Sequence, residues 1–375
     1  MPNTRYNNAV RLEFDTSTEV QTNLSGAAFS GDWLFVAGDE SAGIDRLEHL
    51  PSAARETLRF GNARSFALAN LLSLPGEAEE EADIEGLAVV DGWLWLVGSH
   101  GLKRKNTKAD RSHTDNAKRL AKVTLDGNRR LLACVPIEPD ADGRPTPVAV
   151  AADGRRARRL RGDSMNNPLV RLLSGDPHFG PFMAIPGKDN GFDIEGLAMI
   201  GQERGQERSQ QRGDRLLLGL RGPVLRGWSA LLEIAVEVGD DTLKLAPLDD
   251  EGTVLRKHFM QLGGLGVRDL HLDGDDLFIL AGPTMVLDGA IRVFRWAGAR
   301  QLLAANTEPV RFESSACVEV LSLPHGIGAN RAEAFCEVPA SLTRGKPTWL
   351  VLYDAPGPDR REGERTVFGD LLRHD

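Results

Sequence analysis

Two copies of the sequence Asp-Ile-Glu-Gly-Leu-Ala, at 83–88 and 193–198, each place two carboxylates with one residue between them. Carboxylate oxygens are the ligands that hard cations such as Ca²⁺ prefer, and carboxylates from separate segments can share one ion. The same pairs could instead be neutralised by arginine, and the aspartates could cap the turn into a strand. The motif therefore marks the following candidate metal ligands: Asp83, Glu85, Asp193 and Glu195.

The two motifs belong to a longer repeat that occurs in five places. Each unit is a short apolar run, a turn rich in Asp and Gly, and a second apolar run. The runs are too short for helices and are joined by dipeptides such as Asp91-Gly92, a pattern typical of β-hairpins. The predicted inner hairpins lie near residues 24–38, 84–98, 194–220, 267–282 and 318–354.

Both strands of each hairpin are almost continuously apolar, so each hairpin must be buried on both faces. Hairpins stacked as blades around an axis meet that requirement. We therefore predict an all-β protein, a single β-propeller domain over residues 1–375, in which Ala9 to Phe14 complete the last blade.

Five blades are detected, and a sixth could lie in the 110 residues that separate Glu85 from Glu195, since one blade needs only ~40 to 50 residues. The same interval contains a predicted short helical insertion around 154–176. A Gln/Arg/Gly-rich stretch at 201–214 predicts a hairpin loop with no site of its own.

A propeller brings two sets of distant residues to one end of its channel. The loop that enters each inner strand shares a face with the loop that leaves the second strand. The second position of the repeat is occupied by Ser25, Glu85, Glu195, Arg268 and Glu319. The second set lies at or just after the ends of the second strands, and it consists of Asp39, Glu40, Ser99, His100, Arg221, Pro283 and Asp354.

Three glutamates at one level of a narrow channel would repel one another unless positive charge lies among them. One solution is Ca²⁺, held by Glu85, Glu195 and Glu319, with Asp83 and Asp193 as further ligands. The other is a structural network in which Arg268 pairs with the glutamates. The sequence leaves both open, because a buried carboxylate is either paired or metal-bound.

A basic loop follows His100 and reaches the same predicted mouth with Lys103 and Arg104. Lys103 and Arg104 are predicted to bind a ligand together with Arg268, Arg221 and Asp39. The cationic side chains would bind a phosphate or carboxylate group of that ligand. His100 is a candidate general acid or base, because imidazole titrates nearest neutrality. The alternatives are a solvated charged loop and a surface histidine.

The composition excludes several classes of protein. The chain has 45 Lys+Arg against 54 Asp+Glu and a net charge of −9, which argues against a dedicated nucleic-acid binder. No apolar stretch approaches the ~18 residues of a membrane span, and no signal sequence is apparent, so a cytoplasmic location is expected. The three cysteines form no paired motif. No G-x-S-x-G, P-loop or H-E-x-x-H motif occurs.

The double Asp-Ile-Glu-Gly-Leu-Ala motif, with Pro186-Gly-Lys-Asp-Asn-Gly191 before the second copy, resembles a bacterial domain-of-unknown-function family over nearly the whole chain. That family is distantly similar to calcium-dependent, phytase-like and esterase-like β-propellers. The resemblance implies a cation at the channel mouth and hydrolysis of an ester or phosphoester. Ser25 and Arg268 depart from the acidic pattern and argue against a site that binds several calcium ions.

Two functions follow from these observations. In the first, the channel mouth binds an anionic small molecule, with or without Ca²⁺, and hydrolyses a phosphoester or ester with His100, Glu85 and Glu195 as catalytic residues. In the second, the propeller is a non-catalytic scaffold for a protein or peptide, and the charged ring only stabilises the fold. Neither function involves nucleic acid or a membrane.

Overall fold

The computed structural model describes residues 9–15, 19–52, 57–200, 213–239, 241–326 and 331–373. The described chain is built mainly of strands, as the period of the apolar runs predicts. In chain order the strands are β1 (Val10–Glu13), β2 (Leu24–Ser30), β3 (Trp33–Gly38), β4 (Gly43–Leu50), β5 (Leu58–Ala67), β6 (Ile84–Val90), β7 (Trp93–Gly98), β8 (Lys103–Arg104), β9 (Val123–Thr124), β10 (Leu132–Pro139), β11 (Pro145–Pro147), β12 (Arg158–Arg159), β13 (Asp193–Met199), β14 (Asp214–Gly222), β15 (Trp228–Val238), β16 (Leu243–Ala246), β17 (Arg256–Gln261), β18 (Gly266–Asp273), β19 (Asp276–Gly282), β20 (Ile291–Trp296), β21 (Val310–Glu313), β22 (Cys317–Leu323), β23 (Arg331–Glu337), β24 (Thr348–Asp354), β25 (Arg361–Glu362) and β26 (Thr366–Arg373).

The helices are few and short. They are α1 (His113–Ala121), α2 (Pro168–Ser174), α3 (Ala299–Ala305) and α4 (Ala340–Thr343). Single 3₁₀ turns occur at Glu19–Thr22, Leu68–Asn70, Gly127–Arg130, Gly180–Phe182 and Pro358–Arg360. Among the described residues, no helix has the length and apolar character needed to cross a bilayer.

The strands form five antiparallel blades, which confirms the predicted β-propeller. From the axis outwards, the blades are β2-β3-β4-β5, β6-β7-β10-β11, β13-β14-β15-β17, β18-β19-β20-β22 and β23-β24-β26-β1. The five innermost strands contact one another in a closed ring, from β2 through β6, β13, β18 and β23 back to β2. Strand β13 is buried at all of its positions, as a strand covered on both faces requires.

The ring is closed by the two ends of the chain. Strand β1 pairs antiparallel with β26 and thereby supplies the outermost strand of the fifth blade. Its other edge pairs in parallel with β5 of the first blade. The prediction that Ala9 to Phe14 complete the last blade is therefore confirmed.

Every inner strand carries a β-bulge at the same place. The pairing register skips one residue between Leu24 and Gly26 in β2, and it skips the equivalent residue in the other four inner strands. A bulge re-aims a side chain that would otherwise belong to the ladder. The skipped residues are Ser25, Glu85, Glu195, Arg268 and Glu333.

The glycine after each motif glutamate is explained by crowding at the axis. A Cβ atom at Gly86 would lie 2.7 Å from Leu197 Cβ, and one at Gly196 would lie 2.8 Å from Leu270 Cγ. Both distances are too short for a side chain, so the inner strands can approach this closely only with glycine at these positions.

The prediction of the fifth hairpin is wrong for its first strand. Residues 317–323 form β22, the outer strand of the fourth blade, and the inner strand of the fifth blade is β23. The prediction followed apolar continuity, which β23 lacks because it carries Arg331, Glu333 and Glu337. The second half of that hairpin, at 348–354, was predicted correctly as β24.

The long interval between the two motifs contains no sixth blade. The structure describes all of residues 57–200, and the stretch after β7 holds the outer strands β10 and β11, the strand β12 and the helices α1 and α2. The helical insertion predicted around 154–176 is confirmed as α2, which buries Leu169 and Leu173. The predicted loop at 201–214 lies largely outside the described residues, which resume at 213.

Candidate functional site

Two rings of side chains meet at one end of the channel, because strand pairing puts them at the same level. The inner ring consists of the five bulged residues. The outer ring lies on the second strands. Each of its members directly follows the pairing partner of the residue before the bulge, and the five are Asp39, Ser99, Arg221, Gly282 and Asp354.

Arginines neutralise one half of these rings. The guanidinium of Arg221 forms ion pairs with both Asp193 and Glu195. Arg268 Nη1 lies 3.3 Å from Glu195 Oε2 and forms a second ion pair with Glu333. Although burial opposes the charge of Arg221, the neighbouring carboxylates raise the pKa of Arg221 well above its usual range. Of the predicted network, in which Arg268 pairs with the motif glutamates, the structure contains the pair with Glu195, and Arg221 and Glu333 are members that were not predicted.

The other half holds three carboxylates with little compensation. Ligand atoms of Asp39, Asp83 and Glu85 all lie within 4.8 Å of one another. Arg129 Nη2 lies 2.5 Å from Asp83 Oδ2, whereas the closest cation to Asp39 is Lys188, whose Nζ lies 3.8 Å from Oδ2. We call Asp39, Asp83 and Glu85 the axial carboxylates.

Glu85 is the least compensated of the three. Its side chain is only 5% exposed, yet it makes no hydrogen bond or ion pair with any residue that the structure describes. Burial, followed by the charges of Asp83 and Glu195, raises the pKa of Glu85 well above its usual range. Burial and the charge of Asp83 likewise raise the pKa of Asp39 to about 8. Asp39 Oδ1 also lacks a hydrogen-bond partner among the described residues.

The charges of the site do not balance. Seven carboxylates face five cationic side chains, which leaves two negative charges when all groups are ionised. The carboxylates are Asp39, Asp83, Glu85, Asp193, Glu195, Glu333 and Asp354, and the cations are Arg129, Lys188, Arg221, Arg268 and Arg331. Arg129 is also shared with Glu81, which lies outside this set, so carboxylates remain in excess over cations.

A pocket opens beside the axial carboxylates. Its polar wall includes Lys188, Arg221, Arg268, Arg331 and Asp354. Arg331 Nη1 lies 3.6 Å from Asp354 Oδ2, and half of the Arg331 side chain is exposed. Arg331 and Lys188 are therefore the cations that an incoming anion can reach, since Arg221 and Arg268 are buried in their own ion pairs.

His100 was predicted to lie at the channel mouth, but its side chain is buried away from the mouth. Its ring is 1% exposed, with Nδ1 2.9 Å from the Gly98 carbonyl oxygen and Nε2 3.2 Å from Asn167 Nδ2. Burial and the nearby Arg130 lower the pKa of His100 to about 3, so the ring is neutral at physiological pH. His100 therefore stabilises its loop through these two contacts and has no part in the proposed chemistry.

Lys103 and Arg104 of the predicted basic loop are engaged in ion pairs and strand pairing. Lys103 forms an ion pair with Glu81, and Arg104 Nε lies 2.6 Å from Asp189 Oδ2. Both residues belong to β8, which pairs with β9. They hold the segment before α1 against the site and point their charges at neighbouring carboxylates.

Glu319 lies outside the site. It belongs to β22, and its Oε2 lies 3.2 Å from Arg292 Nη1 on the neighbouring strand. Glu333 of β23 occupies the position at the axis that was predicted for Glu319, because the β-bulge of the fifth blade falls at Glu333. The spacing in Ala332-Glu-Ala-Phe335 matches the other inner strands and could have revealed this.

Sequence reasoning also missed Lys188, Arg129 and Arg331. Lys188 lies five residues before the aspartate of the second motif, inside the stretch that carries the family resemblance. Arg129 belongs to the 3₁₀ turn Gly127–Arg130 and reaches the axis from outside the repeat. No repeat position predicts Arg129, because its approach depends on tertiary structure.

Comparisons with known proteins give a family but no activity. The sequence profile of a family described as "Protein of unknown function (DUF3616)" matches residues 23–370. No curated protein sequence matches the chain.

Three of the solved structures to which the chain is similar are the following. A Bombyx mori GH32 beta-fructofuranosidase is 13% identical with a TM-score of 0.36, and the match covers 94% of this chain and 59% of that one. The PQQ-bound aldose sugar dehydrogenase from Streptomyces coelicolor is 12% identical with a TM-score of 0.34, over 94% and 95% of the two chains. Sqt1 from Saccharomyces cerevisiae is 12% identical with a TM-score of 0.34, over 98% and 99%. At these scores the likenesses say nothing about activity.

Proposed function

We propose a function for a chain that belongs to the DUF3616 family: its channel mouth binds a divalent cation and, beside the cation, an anionic small molecule. The cation would be held by the axial carboxylates Asp39, Asp83 and Glu85. The anion would occupy the adjoining pocket, where Lys188 and Arg331 are accessible.

The observation that carries the proposal is the buried carboxylate of Glu85, which has no partner in the described chain. An isolated buried charge is costly, and proteins normally pair it or coordinate it to a metal. Its neighbours Asp39 and Asp83 add negative charge, so a proton or a cation must complete the cluster. Glu195, at the equivalent position, needs no cation because two arginines serve it.

The donor set suits a hard cation. All three side chains offer oxygen, and none offers the nitrogen or sulfur that zinc favours. Ca²⁺ takes six to eight oxygen ligands in flexible geometry, so three carboxylates would leave coordination positions for water or for a ligand oxygen.

Hydrolysis of an ester or phosphoester is the reaction that this arrangement would serve. A bound cation would polarise the ester or phosphoryl oxygen. Lys188 and Arg331 would orient the anionic group by charge-assisted hydrogen bonds. Asp354 lines the same pocket, and burial and the charge of Glu333 raise the pKa of Asp354 to about 6. Its carboxylate could therefore accept a proton from water, which is the role first considered for His100.

Thermal melting with and without divalent cations tests the cation site. We expect Ca²⁺, Mg²⁺ or Mn²⁺ to raise the melting temperature of the chelator-treated protein, and Glu85→Gln or Asp39→Asn to abolish the shift. Glu319→Gln is the matched control and should keep the full shift, because Glu319 pairs with Arg292 away from the site. An unchanged melting temperature in all three cations, or an undiminished shift in Glu85→Gln, would contradict the proposal.

A panel of carboxylate and phosphate esters then tests the reaction. Activity should depend on added cation and should be lost in Glu85→Gln and Asp354→Asn but kept in Glu319→Gln. Cation-dependent melting without turnover of any ester would support binding and reject hydrolysis.

A second candidate is a scaffold that binds a protein or peptide. It is favoured by exposed apolar side chains on outer strands: Phe312 of β21 is 60% exposed, and Val318 and Val320 of β22 are 61% and 45% exposed. If the melts show no cation effect, this outer edge becomes the surface to test.

A further inference from the structure

Three consecutive apolar side chains form the outer rim of the pocket. Met285, Val286 and Leu287 belong to the connection between β19 and β20, and they are 43%, 59% and 63% exposed. Single exposed apolar residues are ordinary on a protein surface, but a contiguous patch at a pocket usually marks a binding surface. These three line the same pocket as Lys188 and Arg331.

The rim is held in place next to the cations. Met285 forms a backbone bridge with Asp189, the residue after Lys188, and Leu287 N donates to the Met285 carbonyl oxygen at 2.7 Å. Asp189 is in turn held by Arg104. The backbone of the rim is therefore fixed by contacts at its base, while its apolar side chains remain exposed to water.

The pocket therefore has two chemically different walls. One wall offers the accessible cations Lys188 and Arg331 beside the carboxylates of Glu333 and Asp354, and the other offers apolar surface from Met285, Val286 and Leu287, which Asp288 follows. A wholly polar anion would satisfy the first wall and leave the second in water. A ligand with an anionic group at one end and an apolar body at the other would cover both.

We infer that the ligand of the channel mouth is an amphiphilic anion: a phosphate or carboxylate that carries an alkyl or aryl body, with the anionic group at Lys188 and Arg331 and the apolar body on Met285, Val286 and Leu287. This inference rests on the proposed function, because it assumes that the same mouth binds an anion. It adds the class of molecule, which the charged residues alone do not specify.

Matched pairs of ligands test the inference by calorimetry on the full chain with Ca²⁺ present. Ethyl phosphate is compared with octyl phosphate, and acetate with octanoate, all below their micelle concentrations. In at least one pair the longer ligand should bind tenfold or more tightly, which corresponds to about 1.4 kcal/mol and to the burial of about two methylene groups.

The variant Met285→Ser/Val286→Ser/Leu287→Ser should bring the ratio within each pair close to one while leaving the affinity for the short ligand unchanged. Val318→Ser/Val320→Ser is the control, because it removes exposed apolar side chains from β22 outside the pocket and should keep the preference. Its circular dichroism and melting temperature, and those of the triple variant, confirm that both remain folded.

The outcomes separate the two proposals. If the short ligands bind and the long ones bind no more tightly, the inference is wrong and anion binding stands. If the preference persists in the triple variant, the rim is not its source and the inference is wrong. If no member of either pair binds, the proposed anion site fails as well. Octyl phosphate that binds only when presented in vesicles would also overturn the inference in favour of a membrane surface.

Discussion

Glu85 and Glu195 occupy identical sequence motifs, and burial raises the pKa of both, but they differ in their ion-pair partners. The outer-ring position beside Glu195 is Arg221, and the equivalent position beside Glu85 is Ser99. Glu195 pairs with Arg221 of its own blade and with Arg268 of the next inner strand, whereas the equivalent positions around Glu85 are Ser99 and Glu195. The motif predicts a carboxylate at the axis, but its partner depends on a residue outside the motif.

This difference predicts effects of opposite sign for the same substitution. In chelator, Glu85→Gln should raise the free energy of unfolding by about 1 kcal/mol or more, because it removes a charge that burial disfavours. Glu195→Gln should lower it by about 3 kcal/mol, because it leaves buried arginines short of a counter-charge. Urea unfolding in chelator measures both.

The control for this pair is Glu319→Gln, which should change the free energy of unfolding by less than about 0.5 kcal/mol because its ion pair is partly exposed. A loss of stability in Glu85→Gln equal to that in Glu195→Gln would show that Glu85 has a counter-charge in solution.

At the scale of elements, prediction succeeded where apolar continuity and burial coincide. The inner strands β2, β6 and β13 read as apolar runs because both faces are covered, and β18, which carries Arg268 and Asp269, is recognisable from the Asp273-Gly274 turn and the apolar strand β19 that follows it. Strand β23 has the same position in the fold but carries charge at Arg331, Glu333 and Glu337, so an apolar criterion passes over it. Helix α1 was missed because it has few apolar residues and none of its residues is buried, although the N-cap Ser112 could have marked its start.

Neighbouring inner strands are joined by side-chain bonds as well as by packing. Asp269 follows the bulge of β18, and its Oδ2 accepts a hydrogen bond from Phe335 N of β23 at 2.8 Å. Its Oδ1 accepts one from Leu270 N, also at 2.8 Å. Ser25 similarly bonds the Ile84 carbonyl oxygen across the first two blades. Such bonds satisfy polar groups that no ladder reaches.

Asp269→Ala should therefore lower the free energy of unfolding by about 1 to 3 kcal/mol, the usual cost of a buried N–H group left without an acceptor. Asp269→Asn should cost less, because its amide oxygen can still accept the bond from Phe335 N. Urea unfolding compares the two, and equal losses would mean that the carboxylate charge, not the acceptor, is what stabilises this contact.

At the scale of the molecule, the whole ring depends on a four-residue strand. Strand β1 joins the fifth blade to the first by pairing with β26 on one edge and β5 on the other. The side chain of Leu12 in β1 is fully buried. A cavity at Leu12, where the first and fifth blades meet, should destabilise both blades together.

Leu12→Ala should lower the free energy of unfolding by about 2 to 5 kcal/mol, the range for a buried leucine. Near- and far-ultraviolet circular dichroism should follow one shared transition if the ring opens as a unit. Val123→Ala is the control, since Val123 is 38% exposed on β9 and should change stability by less than about 0.5 kcal/mol. Separate transitions in Leu12→Ala would instead indicate blades that unfold independently.

The shared bulge separates the residues that build this protein from those that give it chemistry. The bulged residue of each inner strand is skipped by the ladder, so its identity can change without altering how the blades pair. Five equivalent positions already hold three residue types: one serine, three glutamates and one arginine. Substitutions at these positions therefore leave the backbone pairing of the blades in place, although Glu195, Arg268 and Glu333 also contribute buried ion pairs.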